Sequence, residues 1–520
     1  MKSKSVCIKG IISIFVGIII YFLVNTLILN LYSNGDVISL QDSNFVGLIS
    51  SASGILVALI TFLVLRINFI KKNDKKIIYE MAYIDKATGV RNKNKFILDA
   101  SVILSKTKTS YAIVVLELNN FEVINELYGY NEGNNLLKYV ANVIKDILNP
   151  EDEIFARSSA GRFNLLVKFD DVNGIRTKLE MIMDEISEYK RTKSDHSKCS
   201  VNSCCGIYVI NDEDISNIPS DMEFNISHLV SRAKFALSEI AGKYINYCSF
   251  YNEEIKSQLI YENDMEYALA NDEFIVYIQP KYDIQQHVLT GGEALVRWNH
   301  HSKGFLSPDK FVPLFEKNGF IVDLDMFVFE TVCKMQRKWI DMGLNPVRIS
   351  VNQSRIHLFT RDYVETLKKI LDKYSVPPEL IELEITESVA FESMDVISDV
   401  LKKLHAIGFK ISMDDFGSGY SSLNMLKNLD VDVLKIDKGF FEETSNSKRG
   451  QDIIESIIDM ASKLGIETVA EGVETKEQVE LLQGNGCDVA QGYFYAMPMP
   501  IEDYENNELI KKRRFANAVK

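Results

Sequence analysis

The sequence predicts an α/β protein in which two transmembrane helices and a middle α/β domain precede a C-terminal (β/α)8 barrel of the TIM type with one antiparallel strand. Three observations predict it. Two long uncharged stretches, Gly10–Gly35 and Ser43–Leu65, lie near the start. Residues 84–250 alternate strand-like and helix-like segments. The remainder holds eight short strand candidates separated mostly by amphipathic helices, over a length close to the ~250 residues of such a barrel. The domain boundaries follow as 1–80, 81–250 and 251–520.

Each uncharged stretch exceeds the ~20 residues that cross a bilayer as a helix. Lys2, Lys4 and Lys9 precede the first, and Arg66, Lys71, Lys72, Lys75 and Lys76 follow the second. The intervening loop, about Asn34 to Gln41, carries only Asp36. By the positive-inside rule, a hairpin of this kind keeps both of its ends, and both large domains, on the cytoplasmic side of the cell membrane. The connector Lys71–Tyr83 places Ile77, Ile78 and Met81 on one stripe, which suits either simple packing or a dimerising helix.

Composition narrows the chemistry. The chain carries a formal charge of −14, with 46% hydrophobic and 25% charged residues, which excludes a disordered or collagen-like chain. Residues 1–80 hold eight basic and four acidic side chains, so the rest carries −18. A body this acidic is no coat for a nucleic-acid polymer, which needs basic surface against the phosphates. The seven cysteines form no CxxC pair and are expected to be reduced. The seven histidines show no metal-type spacing, so any metal is expected to be a hard cation held by oxygen.

In the middle domain, Tyr111–Leu118, Ile154–Phe155, Asn164–Phe169 and Cys204–Ile210 read as strands and Asn134–Leu148 as an amphipathic helix. Ile84–Phe96 (IDKATGVRNKNKF), Glu117–Asn134 (ELNNFEVINELYGYNEGN) and the hairpin around Ser159–Phe163 resemble the diguanylate cyclase domain of the GGDEF type. The resemblance is clear in layout and poor at functional positions. Arg162 stands where the family has a metal-binding carboxylate. Ser159 and Ala160 replace glycines that let backbone approach the triphosphate. Asn134 replaces the guanine-reading Asp, which can accept two hydrogen bonds where an amide cannot do so with both atoms. Pro150–Glu153 lacks the RxxD inhibitory motif, and the family's phosphate-binding lysine is missing from Arg232–Gly242. Glu117 and Asn125 match retained metal and guanine positions. The resemblance implies no cyclase activity and leaves two roles open: a regulatory GTP site, or a structural, dimerising body.

In the C-terminal domain the strand candidates are Phe274–Gln279, Leu289–Trp298, Val347–Asn352, Ile381–Thr386, Phe409–Asp414, Val433–Asp437, Thr468–Glu471 and Asp488–Tyr493. Helices such as Tyr363–Tyr374, Asp395–Ile407 and Gln451–Leu464 lie between most of them. Only the first two strands are joined by a short loop, which suits a hairpin, so one of them is expected to run antiparallel. Gln279, Glu293, Asn352, Glu384, Asp414, Asp415, Lys435, Glu471 and Gln491 fall at strand ends or starts, so nearly every strand delivers a polar group to one rim, where barrel enzymes place their chemistry.

Glu293–Trp298 (EALVRW), Ser350–Ser354 (SVNQS), Glu382–Ser388 (ELEITES), Asp414–Tyr420 (DDFGSGY), Lys435–Asp437 (KID), Ala470–Glu474 (AEGVE) and Gln491–Tyr493 (QGY) resemble, in family order, the EAL-type cyclic di-GMP phosphodiesterases. The resemblance implies hydrolysis of cyclic di-GMP to linear pGpG with two Mg²⁺ or Mn²⁺ ions. It implies that Glu293, Asn352, Glu384 and Asp414 hold one ion and that Asp414, Asp415 and Glu471 hold the other. It makes Lys435 the group that orients the attacking water, Glu474 and Gln491 supports of the site, and Gln279 and Arg297 substrate contacts. It also implies a homodimer, coupled to the site through the loop after Asp415 and anchored by Glu387. The rival reading is a membrane-bound effector that binds cyclic di-GMP without cleaving it.

Overall fold

The computed structural model describes residues 40–106, 109–189, 201–217, 222–240, 246–386, 394–416, 426–439 and 448–509, with a few residues between 18 and 27. They divide into two compact units, Met1–Ile255 and Lys256–Lys520. The first uncharged stretch lies almost wholly outside the described residues, and so does the cysteine at position 7. The second falls within a 44-residue helix, Leu40–Tyr83. Among the described residues no helix is long and apolar enough to cross a membrane, so the hairpin is carried by the sequence pattern alone.

The first unit is built on a five-stranded sheet. Its strands are β1 (Tyr111–Leu118), β2 (Ile154–Ser159), β3 (Arg162–Lys168), β4 (Ser203–Val209) and β5 (Tyr247–Phe250), in the order β2-β3-β1-β4-β5. The central strand β1 shows why a β-branched run is needed there. Ala112, Val114, Leu116 and Leu118 pack into the core on one face, against Leu136, Leu137, Val140 and Leu179. Tyr111, Ile113 and Val115 pack on the other, against Phe96, Ala100, Leu229 and Leu237. Period-two alternation thus buries both faces of one strand. Helix Met222–Ser238 lies so close to β4 that a Cβ on Gly206 would stand 2.0 Å from the carbonyl oxygen of Ala233. The short strand β5, parallel to β4, is not expected from the sequence, because YCSF lacks the length and alternation of a strand signal.

The second unit is the barrel. Its eight strands are β6 (Phe274–Asp283), β7 (Leu289–His300), β9 (Arg348–Asn352), β10 (Ile381–Thr386), β11 (Lys410–Phe416), β12 (Val433–Ile436), β13 (Glu467–Ala470) and β14 (Val489–Ala490). They close in the order β6-β7-β9-β10-β11-β12-β13-β14, with β14 pairing back to β6. The antiparallel strand is β6, which opposes both of its neighbours. Two short strands, β8 (Gly304–Leu306) and β15 (Met499–Pro500), add to β7 and β6 at the margins. Strand β7 runs on past its pairing with β9 and carries the fully buried Trp298 into a cluster with Phe274, Phe311 and Phe315.

Alternation sorts the barrel strands as it sorts β1. Leu383 and Ile385 of β10 point outward to Phe329, Leu367 and Leu401 on the surrounding helices. Inward, Val433, Val469 and Val489 form a small apolar layer of their own. Two residues further along the same three strand paths come Lys435, Glu471 and Gln491. Polar groups therefore stack directly on an apolar plug, one step nearer the carboxyl ends of the strands.

Gly492 follows the last of these, and a Cβ there would lie 2.1 Å from the carbonyl oxygen and 2.2 Å from the nitrogen of Val473. Gly492→Ala is therefore expected to cost roughly 1–3 kcal/mol, as overpacking does. Chemical denaturation of the two proteins reads this directly, and an unchanged midpoint would contradict the packing described.

Candidate active site

The centre of the site is one buried ammonium. Lys435 Nζ lies 2.7 Å from Glu471 Oε1, 2.8 Å from Glu384 Oε2, 3.1 Å from Asp414 Oδ1 and 3.7 Å from Glu293 Oε2. The four acids come from four different strand paths, Glu293, Glu384 and Asp414 within β7, β10 and β11 and Glu471 just after β13, and the barrel closure is what brings them together. Glu293 is held from two sides: Asn352 Nδ2 donates to its Oε1 at 3.0 Å, and Gln491 Nε2 donates to its Oε2 at 2.6 Å. Gln491 Nε2 also donates to Gln279 Oε1 at 3.0 Å, and Gln279 in turn donates to the carbonyl oxygen of Ala496. Gln279, Glu293, Asn352, Glu384, Asp414, Lys435, Glu471 and Gln491 are thus assembled at one place.

Beneath them lies Lys281, fully buried, which donates to Ser350 Oγ at 2.8 Å, Glu384 Oε1 at 3.1 Å and Glu382 Oε1 at 3.4 Å. Sequence reasoning misses Lys281, Ser350 and Glu382 as members of the site. A signal is present: in Ile381–Thr386 alternation puts Glu382 on the same inward face as Glu384, and an inward acid needs a counter-charge.

These contacts set the protonation of the acids. Burial alone would raise Glu384, but Lys435 and Lys281 outweigh it and hold the carboxyl at about 2. For Glu293, Asp414 and Glu471 burial wins: it pushes each carboxyl up, neighbouring acids add to it, and Lys435 pulls only partly back. Glu471 reaches about 8. Lys435 stays charged, because the four acids more than offset the burial that opposes its charge.

Asp415 sits beside this cluster rather than in it. Its backbone is left-handed, with φ 58°, and its N–H donates to Asp414 Oδ1 at 2.9 Å. Burial first, then Asp437, raises its carboxyl, which adds Asp437 of the KID segment to the neighbourhood. Arg297 is drawn over the Tyr277 ring, 5.8 Å from its centre, and donates to its own strand at Val296 O. Glu474 is not brought to the cluster. It is exposed and pairs with Lys438 at 2.7 Å, because the chain turns away after Gly472. Glu387 and the loop 417–420 lie outside the described residues.

A divalent cation is suited by the donors present. Four carboxylates with two lysines leave a surplus of negative charge, and Gln491 Oε1 is buried without a hydrogen-bond partner. Oxygen donors in excess, one of them unsatisfied, are what a hard cation takes up.

The middle domain has the opposite balance. Glu117 and Arg162 are cross-strand partners in β1 and β3, and Arg162 Nε donates to Glu117 Oε1 at 2.5 Å. The retained acid is therefore already neutralised by the residue that stands in place of its partner acid. Lys234, whose pKa is lowered by burial and by the charges of Lys93 and Arg162, adds further positive charge here. Ala160 takes a left-handed backbone, φ 39°, at the hairpin tip, a conformation that favours glycine. Asn125 lies against Gly133, and Asn134 is exposed.

Two family models match the chain: the EAL domain over residues 262–498, and the diguanylate cyclase GGDEF domain over residues 82–232. The bifunctional diguanylate cyclase/cyclic di-GMP phosphodiesterase MucR of Pseudomonas aeruginosa is 32% identical over 75% of this chain and 56% of its own length. The cyclic di-GMP phosphodiesterase NbdA of the same organism is 30% identical over 84% of this chain and 55% of its own length. The chain spans about half the length of these curated relatives. Among solved structures, the PaMucR phosphodiesterase in complex with c-di-GMP is 37% identical, covering 48% of this chain and 99% of its own, with a TM-score of 0.45.

Because Lys435 is the counter-charge of four buried acids, Lys435→Met should destabilise the cation-free protein by about 3–5 kcal/mol, the scale for removing one partner of a buried ion pair. Thermal unfolding in a chelator measures this, and the loss should shrink when Mn²⁺ is added. An unchanged midpoint in the chelator would refute the contact scheme.

Proposed function

Because this chain carries an EAL domain and a GGDEF domain, we propose that it hydrolyses cyclic di-GMP to linear pGpG at the carboxylate cluster of its barrel. The observation that carries the reading is the ring of Glu293, Glu384, Asp414 and Glu471 around Lys435. Relatives named as cyclic di-GMP phosphodiesterases support the same substrate.

In this reading Glu293, Asn352, Glu384 and Asp414 would hold one Mg²⁺ or Mn²⁺, and Asp414, Asp415 and Glu471 would hold a second. Two such ions offset the charge at phosphorus and lower the pKa of a bound water. The protein supplies the rest. Lys435, relieved of part of its carboxylate contacts, directs an N–H toward the attacking water and keeps it in line. Water adds across one phosphodiester, opening the ring and leaving one terminal phosphate. Gln491 fixes Glu293 and Gln279 in one hydrogen-bonded chain, which holds a metal-side and a substrate-side group in register. Arg297, with its guanidinium over Tyr277, offers charge and a flat face to the dianionic substrate. Glu474 has no place in this mechanism while Lys438 holds it.

The GGDEF domain acts as a regulatory or structural body and not as a cyclase, since Arg162 neutralises the acid that remains. Its positive surroundings suit an anion such as GTP without a metal. A membrane anchor that leaves both domains cytoplasmic belongs to this reading and rests on the two uncharged stretches and the basic residues that flank them. A homodimer, with the loop after Asp415 responding to it, completes the scheme. The rival reading, an effector that binds without cleaving, is disfavoured because such a protein has no use for the full carboxylate set.

Two outcomes are expected. The full chain with Mn²⁺ converts cyclic di-GMP to pGpG, and Glu293→Ala loses the activity by at least about a hundredfold; chromatographic identification of the product decides it, and undiminished pGpG from the variant would sink the site. Incubated with GTP and Mg²⁺, the protein yields no cyclic di-GMP, and a product peak would overturn the reading of Arg162.

A further inference from the structure

A lysine inside a barrel is costly to bury, and Lys281 is fully buried in β6. Its three partners account for its charge but not for its position. Glu382, the lower partner, gives its other oxygen to Arg348 at 3.3 Å, and Arg348 pairs with Glu467 at 3.0 Å. Glu382 thus already has a cation from the open end of the barrel. Glu384, the upper partner, is shared between two lysines, Oε1 to Lys281 at 3.1 Å and Oε2 to Lys435 at 2.8 Å. The charges alternate up the interior: Arg348, Glu382, Lys281, Glu384, Lys435, and then the remaining acids of the site.

We infer that Lys281 is a positioning residue for cation binding: it retains Glu384 Oε1 while Oε2 is handed from Lys435 to a divalent ion. The inference rests on the metal-dependent reading of this site. Without Lys281, Glu384 is free to rotate about its side-chain torsions once Lys435 lets go, and the ordering of that carboxylate must then be supplied by the ion. With Lys281, one oxygen is committed and the carboxylate would enter coordination already oriented. Groups that orient a ligand in this way are generally worth ~10–100-fold in metal affinity. Ser350, which accepts from Lys281 at 2.8 Å, fixes the ammonium below Glu384.

The test uses the full chain and Mn²⁺ alone, titrated by calorimetry into wild type, Lys281→Met and Ser350→Ala, with folding followed by circular dichroism. The Mn²⁺ dissociation constant is expected to rise roughly 10-fold or more in K281M and a few fold in S350A. In hydrolysis assays saturated with Mn²⁺, the KM for cyclic di-GMP is expected to stay within about twofold of wild type, since Lys281 acts on the ion and not on the substrate. Wild-type Mn²⁺ affinity in folded K281M overturns the inference. Should K281M fail to fold, S350A keeps both charges and reads the same quantity, and its unchanged affinity overturns the inference equally. A wild-type chain that binds Mn²⁺ but leaves cyclic di-GMP intact removes the hydrolytic reading alone, because the titration still reports on Lys281.

Discussion

The contact on which the barrel site depends is the one between Lys435 and four carboxylates. Acids brought this close repel one another strongly in a low-dielectric interior. A single ammonium at their centre makes the arrangement tolerable without making it neutral. That partial compensation decides the electrostatics. Glu384, touched by two lysines, is ionised outright, while Glu293, Asp414 and Glu471 are held reluctant to ionise. A site in this condition has oxygen donors to spare and gains from any cation that completes the balance.

The same contact explains why the fold must be a closed barrel. Glu293, Glu384, Asp414 and Lys435 lie on β7, β10, β11 and β12, and Glu471 follows directly on β13. Only closure points the inward residues of these strands at a common axis. Register then sets the height. Glu384 pairs with Asn352 and Ser412 in its neighbours, and Lys435, Glu471 and Gln491 each lie two residues beyond Val433, Val469 and Val489 of the plug. The outward residues of the same strands are apolar and bind the helices. Packing and chemistry are therefore separated by one residue of sequence, and a one-residue slip would exchange them.

That separation is why so much of the barrel is legible in the sequence. All eight barrel strands and the assembly of Glu293, Asn352, Glu384, Asp414, Lys435, Glu471 and Gln491 follow from alternation and from polar residues along the strands, while the short loop between the first two strands gives one antiparallel strand and leaves open which of the two it is. What escapes depends on the third dimension. Lys281 lies in the middle of a strand, and nothing in its neighbours along the chain shows that Glu382 and Glu384 of a distant strand await it. Glu474 belongs to a motif with Glu471, yet three residues past Glu471 suffice to turn it out to Lys438. Strand β5 is too short to carry a pattern and is defined only by its pairing with β4.

Charge balance also separates the two domains. In the barrel, four acids face Lys435 with Lys281 below, and negative charge is left over. In the middle domain one acid, Glu117, meets Arg162, with Lys234 and Lys93 nearby, and positive charge is left over. Both places are polar clusters at the ends of buried strands, and fold alone would not tell them apart. The sign of the surplus does. A divalent cation is favoured by the first and disfavoured by the second, so within one chain two clusters at the ends of buried strands differ in the sign of the charge left over, and in the sheet around β1 Arg162 is the side chain that meets the one acid present.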